Sequence, residues 1–253
     1  MGRGLVWVII VWAALALGCS PSRAQPRFDD WTAVIIAADW RTSDGQPIQA
    51  FDNALRDLTG AFEQAGFDRR NIVSHSLRPD APSPVSAQTA VRNAARAAAQ
   101  TTRGCLLYFT SHGSPDGIVF GPDEVVTPAA MATMARAWCG QRPTVIVVSA
   151  CYSGVFLDAL SGPDRMVMTA ARPDRASFGC SEEATYPYFD GCVLETLPTA
   201  SDFIALAHGA RACVTRRETE EGLTPASEPQ LRIGANMQML LPTLRFSPPS
   251  PGG

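Results

Sequence analysis

CLLYFTSHGSPDG (Cys105–Gly117) and TVIVVSACYSG (Thr144–Gly154) are built alike: a short run of β-branched and aromatic residues gives way abruptly to small residues and glycine. Runs of this length and composition read as strands buried on both faces, the pattern of a parallel sheet. The first run delivers His112 just past its end, and the second delivers Cys151. Open α/β sheets hold ligands and chemistry at the C-terminal edge of their strands. Two residues 39 positions apart can therefore meet there.

Working outward, further apolar runs alternate with helical spacing. Thr32–Ala38 reads as the first strand, and Arg41–Ile48 as a loop. Ala50–Ala65 carries Phe51, Ala54, Leu55, Leu58, Ala61 and Phe62 at helical spacing and closes on Gly66. Asn71–Ser76 is a second strand candidate, and the Ala-rich Val85–Thr101 is a helix of high propensity. Pro115–Val126 has the marks of a β-hairpin. Pro128–Cys139 reads as a helix capped by Thr127, with proline in its first turn. A helix from about Val155, a strand over Met166–Ala170, an irregular polar stretch from Arg172 to Gly191, a helix over Phe203–Thr215 and a short strand at Leu231–Gly234 follow. This β-α alternation predicts a mostly parallel sheet covered by helices on both faces.

The bulk composition narrows the function. The chain of 253 residues has a formal net charge of −3 and no basic stripe, which argues against nucleic acid as a partner. Met1–Arg3 followed by the apolar Leu5–Leu17 reads as a targeting leader, too short for a comfortable membrane span. Two maturation routes are open. Ala16–Cys19 resembles a bacterial lipobox, which would make Cys19 a lipid anchor; Ser22-Arg23-Ala24 suits ordinary signal cleavage before Gln25. Either route implies export, to the periplasm, the medium or a membrane tether, with no spanning segment in the mature chain. The expected organisation is a leader over 1–24, one domain over 25–246 and a disordered Pro/Ser/Gly tail over 247–253.

Export permits disulfides. Cys105, inside a strand, reads as a plain core thiol. Cys180 and Cys192 flank a loop that a bridge would pin, although spacing alone does not fix connectivity.

The chemistry of His112 and Cys151 follows from their types. A thiol becomes a strong nucleophile on losing its proton, which an adjacent imidazole can take and later return to a leaving amine. The backbone N–H groups of Gly113 and Cys151 are the candidate oxyanion donors, and each such donor is worth on the order of 3 kcal/mol of barrier lowering. Either residue alone fits a structural role; the pairing of both at strand ends is what points to catalysis. His75 and His208 carry less weight. Ser114 and Ser153 lack a G-x-S-x-G elbow, and neither C-x-x-C nor H-E-x-x-H spacing is present to suggest a metal. No cofactor is implied.

Together, Thr110-Ser-His-Gly-Ser114 with Asp116-Gly-Ile118, and Val148-Ser-Ala-Cys-Tyr-Ser-Gly154, resemble the His-Gly and Ala-Cys motifs of legumain-like cysteine peptidases. The segment Ser177-Phe-Gly-Cys180 through Tyr186 resembles that family's substrate wall, and Ser227–Leu231 a terminal strand of its bacterial members. The resemblance implies a caspase-like three-layer α/β/α sandwich, with His112 as general base, Cys151 as nucleophile and Ser177 meeting the substrate backbone. It also implies an arginine and an acidic residue in the specificity pocket. Arg41 and Asp190 are the candidates, although alignment on Gln49-Ala50 puts Pro47 where the arginine belongs. The expected activity is endopeptidase cleavage of a protein or peptide through a thioacyl intermediate. Transpeptidation by the same dyad, a non-catalytic peptide-binding module, and a thiol-redox protein with a resolving cysteine are the alternatives.

Overall fold

The computed structural model describes residues 28–42 and 44–247. The segment read as a leader, with Cys19, and the tail from residue 248 lie outside the described residues.

Six strands form the main sheet: β1 (Trp31–Ala37), β2 (Ile72–Ser76), β3 (Gly104–Thr110), β7 (Thr144–Ser149), β8 (Arg165–Thr169) and β9 (Gln230–Ile233). Their order is β2-β1-β3-β7-β8-β9, parallel throughout except for β9. Between β3 and β7 the chain makes a small antiparallel sheet of β4 (Gly113–Ser114), β5 (Gly117–Val119) and β6 (Val125–Val126). The hairpin expected over Pro115–Val126 is therefore β5–β6, and it gains a third strand directly after His112.

Every residue of β1, β3 and β7 is buried, as near-continuous apolar runs demand of central parallel strands. Alternate side chains feed two cores. Ile35, Tyr108 and Val147 face α1 (Ala50–Gln64), α5 (Tyr188–Thr196) and α6 (Phe203–Glu220). Ile36, Phe109 and Val148 face α2 (Ala87–Ala98), α3 (Pro128–Cys139) and α4 (Leu157–Leu160). The result is a three-layer α/β/α sandwich. The chain leaves β1 toward β2 on one side and returns to β3 on the other, so the crevice at the C-terminal ends of β1 and β3 is a topological switch point.

Local chemistry accounts for the caps. Thr127 Oγ1 accepts from Ala130 N at 3.2 Å, with Pro128 in the first turn of α3. Asp202 accepts from Ile204 N and Ala205 N at the start of α6. That helix runs past Thr215 to Glu220, because its last turn is polar and extends beyond the apolar face that marked it in sequence. The helix expected from Val155 is instead a 3₁₀ turn (Ser153–Phe156) leading into the short α4. α5 falls inside and beyond the stretch read as irregular. Its first turn mixes Asp190 and Gly191 with aromatics, which hid the periodicity.

Two cysteine expectations are corrected. Cys105 is bonded to Cys139, joining β3 to α3, and Cys192 is bonded to Cys213, joining α5 to α6. Cys192 is thus unavailable to Cys180, which stays a free thiol beside the patch of Ala37, Ile48 and Phe51.

Asp190 ties α5 to the sheet. It is fully buried, and its carboxylate accepts from Tyr108 Oη at 2.6 Å and from Thr110 Oγ1. Burial pushes its pKa up to about 6, against the pull of the hydroxyl donors from Thr110, Tyr108 and Ser149.

Two outcomes follow from this architecture. Peptide mapping without reduction is expected to link 105 to 139 and 192 to 213, leaving Cys151 and Cys180 alkylatable; a 180–192 link contradicts the structure. Loss of the α5–α6 bridge should cost about 3 kcal/mol, the entropy of closing a loop of that size. For Asp190, the folded protein holds a proton that the unfolded chain releases between about pH 4 and pH 6. Stability therefore falls as pH rises through that window, by up to about 3 kcal/mol, and levels off above it. Denaturant midpoints from pH 4 to 7 should show this fall in the parent and not in Asp190→Asn; parallel profiles would contradict it.

Candidate active site

The parallel pairing of β3 with β7 sets the geometry. Thr110 lies opposite Ser149, and the ladder continues one step further as Ser111 N donates to Ser149 O at 3.0 Å. His112 and Cys151 each stand two residues beyond that last pair, so they leave neighbouring strands at the same height. Gly113 brings the two tips into contact. A side chain there would put its Cβ 2.2 Å from the Cys151 carbonyl oxygen and 3.0 Å from Ala150 Cβ, so only glycine allows this approach.

The Gly113 N–H is free of the hairpin ladder. Gly113 pairs with Ile118, and Val119 N donates to His112 O at 3.0 Å, which marks 113 and 118 as a non-hydrogen-bonded pair. In such a pair the N–H points away from the partner strand. Ser111 Oγ donates to Val119 O at 2.7 Å and steadies the same turn.

His112 is oriented from β1. Its Nε2 lies 2.6 Å from the Arg41 carbonyl oxygen. A carbonyl only accepts, so Nε2 carries the hydrogen and the neutral ring keeps its lone pair on Nδ1. Phe51 from α1 packs edge-on against the ring, with centroids 5.2 Å apart. The imidazole is thus held by one hydrogen bond and one aromatic wall.

Cys151 is half-buried and unbridged. Its Sγ receives the Ser177 N–H at 3.3 Å and lies 3.5 Å from Ser177 O and 3.8 Å from Ser177 Oγ. The turn that follows is strained. Tyr152 has φ 57° and ψ 12°, the left-handed region, and its N–H donates to Arg175 O at 2.7 Å. A non-glycine residue in that region costs about 1–2 kcal/mol and is held by its surroundings. Here the surroundings are the chain at 172–175. It presses so closely on Gly154 that a Cβ there would meet Pro173 at 2.5 Å. Ser153 Oγ, buried beneath, accepts from Ala171 N at 3.1 Å.

The remaining sequence candidates fall elsewhere. The Arg41 guanidinium does not stand as an open specificity group. It pairs with Asp39 at 2.9 Å, donates to the carbonyls of Gly121 and Pro122 at 3.3 Å, and lies over the Trp40 ring. Pro47 faces Arg41 across an antiparallel bridge, which turns the loop back on itself. Asp190, proposed as the acidic wall, is enclosed beneath the sheet edge with both oxygens occupied. Cys180 is a free thiol, half-buried like Cys151. Burial raises its thiol pKa most, with negative charge on Cys151, Asp190 and Asp39 adding to the effect. His75 is occupied with Asn93 at 3.0 Å on β2.

Three contributions had no signature in the sequence: the Arg41 carbonyl, the Arg175 carbonyl and the left-handed Tyr152. Backbone acceptors belong to every residue, so side-chain motifs cannot reveal them. Among the described residues no group of three or more His, Cys, Asp and Glu side chains is placed to hold a metal. None of their helices is long and apolar enough to cross a membrane.

The comparisons bear on this geometry. Residues 93–202, which contain both strand tips, match the model of the peptidase C13 family. No curated protein matches the chain. Among solved structures, caspase-1 from Spodoptera frugiperda is similar with a TM-score of 0.60 at 12% identity, covering 83% of this chain and 88% of that one. Likeness at that identity speaks for the fold, and the family model speaks for the chemistry at its centre. The match of residues 93–202 to the peptidase C13 family, set in a caspase-like fold, supports cysteine peptidase activity.

Proposed function

We propose that the protein is an endopeptidase in which Cys151 is the nucleophile and His112 the general base. The observation that carries this reading is the shared register of the two strand tips, with His112 Nε2 fixed on the Arg41 carbonyl. With Nε2 so occupied, Nδ1 takes the thiol proton. Sγ forms a bond to the scissile carbonyl carbon, whose oxygen becomes negative and is met by the N–H groups of Gly113 and Cys151. As the tetrahedral species collapses, the C–N bond breaks and His112 delivers its proton to the leaving amine. Water, deprotonated by the same imidazole, then attacks the thioacyl carbon and releases Cys151.

Ser177 lies at the sulfur and offers backbone groups along which the acyl half of a substrate can run. Arg41 serves through its carbonyl, and Asp190 through its support of the β3 edge. The two disulfides support an oxidising compartment and hence the export reading.

Cys151→Ala and His112→Ala are each expected to reduce peptide hydrolysis by at least about a thousandfold, with circular dichroism and thermal midpoint unchanged. Retained hydrolysis in either variant contradicts the mechanism. Gly113→Ala should lower kcat by about a hundredfold or more, the loss expected for one oxyanion donor, because its methyl group must displace the Cys151 carbonyl. Near-normal kcat in a folded Gly113→Ala protein would remove Gly113 from the site.

A further inference from the structure

Beyond His112 the sheet edge opens into a cavity of about 500 Å³. Its walls are mainly apolar and come from Trp40, Leu77, Pro79, Pro84, Val85 and Phe120. Trp40 and Leu77 follow β1 and β2, which lie on the far side of β3 from β7. By strand order the cavity lies toward β1 and β2 and Cys151 toward β7, with Leu77 and Phe120 in the core under α2–α4 and the His112 ring against Phe51 of α1. It is built onto the histidine at two points. Trp40 precedes the carbonyl that holds the His112 ring, and Phe120 follows the Val119 N–H that holds the His112 backbone. The loop forming its outer wall is tied to β1 through Gly121 N to Ala38 O at 2.8 Å and through the Arg41 guanidinium. That wall also carries Asp123 and Glu124, both exposed at the rim. The cations close by are already paired, Arg41 with Asp39 and Arg78 with Asp52.

The direction of the chemistry says what passes over this cavity. In the thioacyl mechanism the acyl half stays on Cys151, and the amine half departs with a proton from His112. The residues after the cut therefore lie on the His112 side, toward β1 and β2. We propose that this cavity is a leaving-side subsite. It takes a large apolar or aromatic side chain from the first few residues after the scissile bond, and the two rim carboxylates favour a Lys or Arg beside it. A pocket of this volume, mostly apolar with a few placed charges, has the form of a side-chain recognition site. The inference rests on the endopeptidase reading and extends it to substrate class.

Quenched fluorescent peptides test it, with the residue before the cut randomised and a Phe-Lys pair stepped through the four positions after it in a Gly background. One placement should raise kcat/KM over the all-Gly peptide by roughly tenfold or more, the range of apolar-pocket discrimination. Replacing Lys by Asp in that peptide should remove part of the gain. Trp40→Ala should flatten the preference for Phe. The exposed Asp123→Asn, Glu124→Gln double variant should remove the preference for Lys alone, a selective change that misfolding does not produce. Equal cleavage of every placement overturns the subsite and leaves the endopeptidase reading standing. The free product peptide Phe-Lys-Gly amide provides a second readout by quenching tryptophan emission, with the signal lost in Trp40→Phe. Quenching without cleavage of any peptide would keep the cavity's ligand class and overturn the endopeptidase reading; neither quenching nor cleavage overturns both.

Discussion

The β3–β7 ladder is the constraint on which the rest depends. Parallel strands buried on both faces are held by evenly spaced hydrogen bonds and by packing above and below, so neither strand can shift alone. Once Thr110 stands opposite Ser149, the positions of His112 and Cys151 follow from counting two residues along each chain. A slip of one residue would exchange the faces of β7, sending Ile146 and Val148 into the wrong core. The energy that enforces the site geometry is thus largely the burial of side chains remote from it.

Around that fixed pair the fold spends its irregular backbone. The Arg41 carbonyl comes from the loop after β1, the Gly113 N–H from the start of β4, and the Ser177 amide from the loop after β8. Each is a main-chain group, and around Cys151 the chain packs so closely that Gly113 and Gly154 leave no room for a side chain and Tyr152 is left-handed. Side chains then reinforce the frame from below. Asp190 gathers hydroxyls of β3 under the site, and Phe51 walls the imidazole. The site thus stands over a buried carboxylate that already holds two hydroxyl donors.

The sequence disclosed the parts of this arrangement that side-chain pattern controls. The central strands were legible because burial on both faces writes continuous apolar runs, and the meeting of His112 with Cys151 at neighbouring strand tips because both residues follow such runs closely. The ends of helices were less legible: α6 outlasts its apolar stripe and α5 has scarcely any. The cysteine pairings were misread for a geometric reason. Cys105 looked like core filling, yet its strand lies under α3, where Cys139 meets it. Cys180 looked like a loop staple, yet α6 brings Cys213 to Cys192 first. Arg41 was marked for its guanidinium, whereas its carbonyl holds the histidine.

The account stands on the imidazole and the sulfur acting as one unit. The most direct measurement is the pH profile of Cys151 alkylation by iodoacetamide, followed by mass spectrometry of the Cys151 peptide in the parent and in His112→Ala. Coupling predicts that removing His112 changes the shape of the Cys151 profile and slows its reaction near neutral pH. Superimposable Cys151 profiles in the two proteins would contradict it.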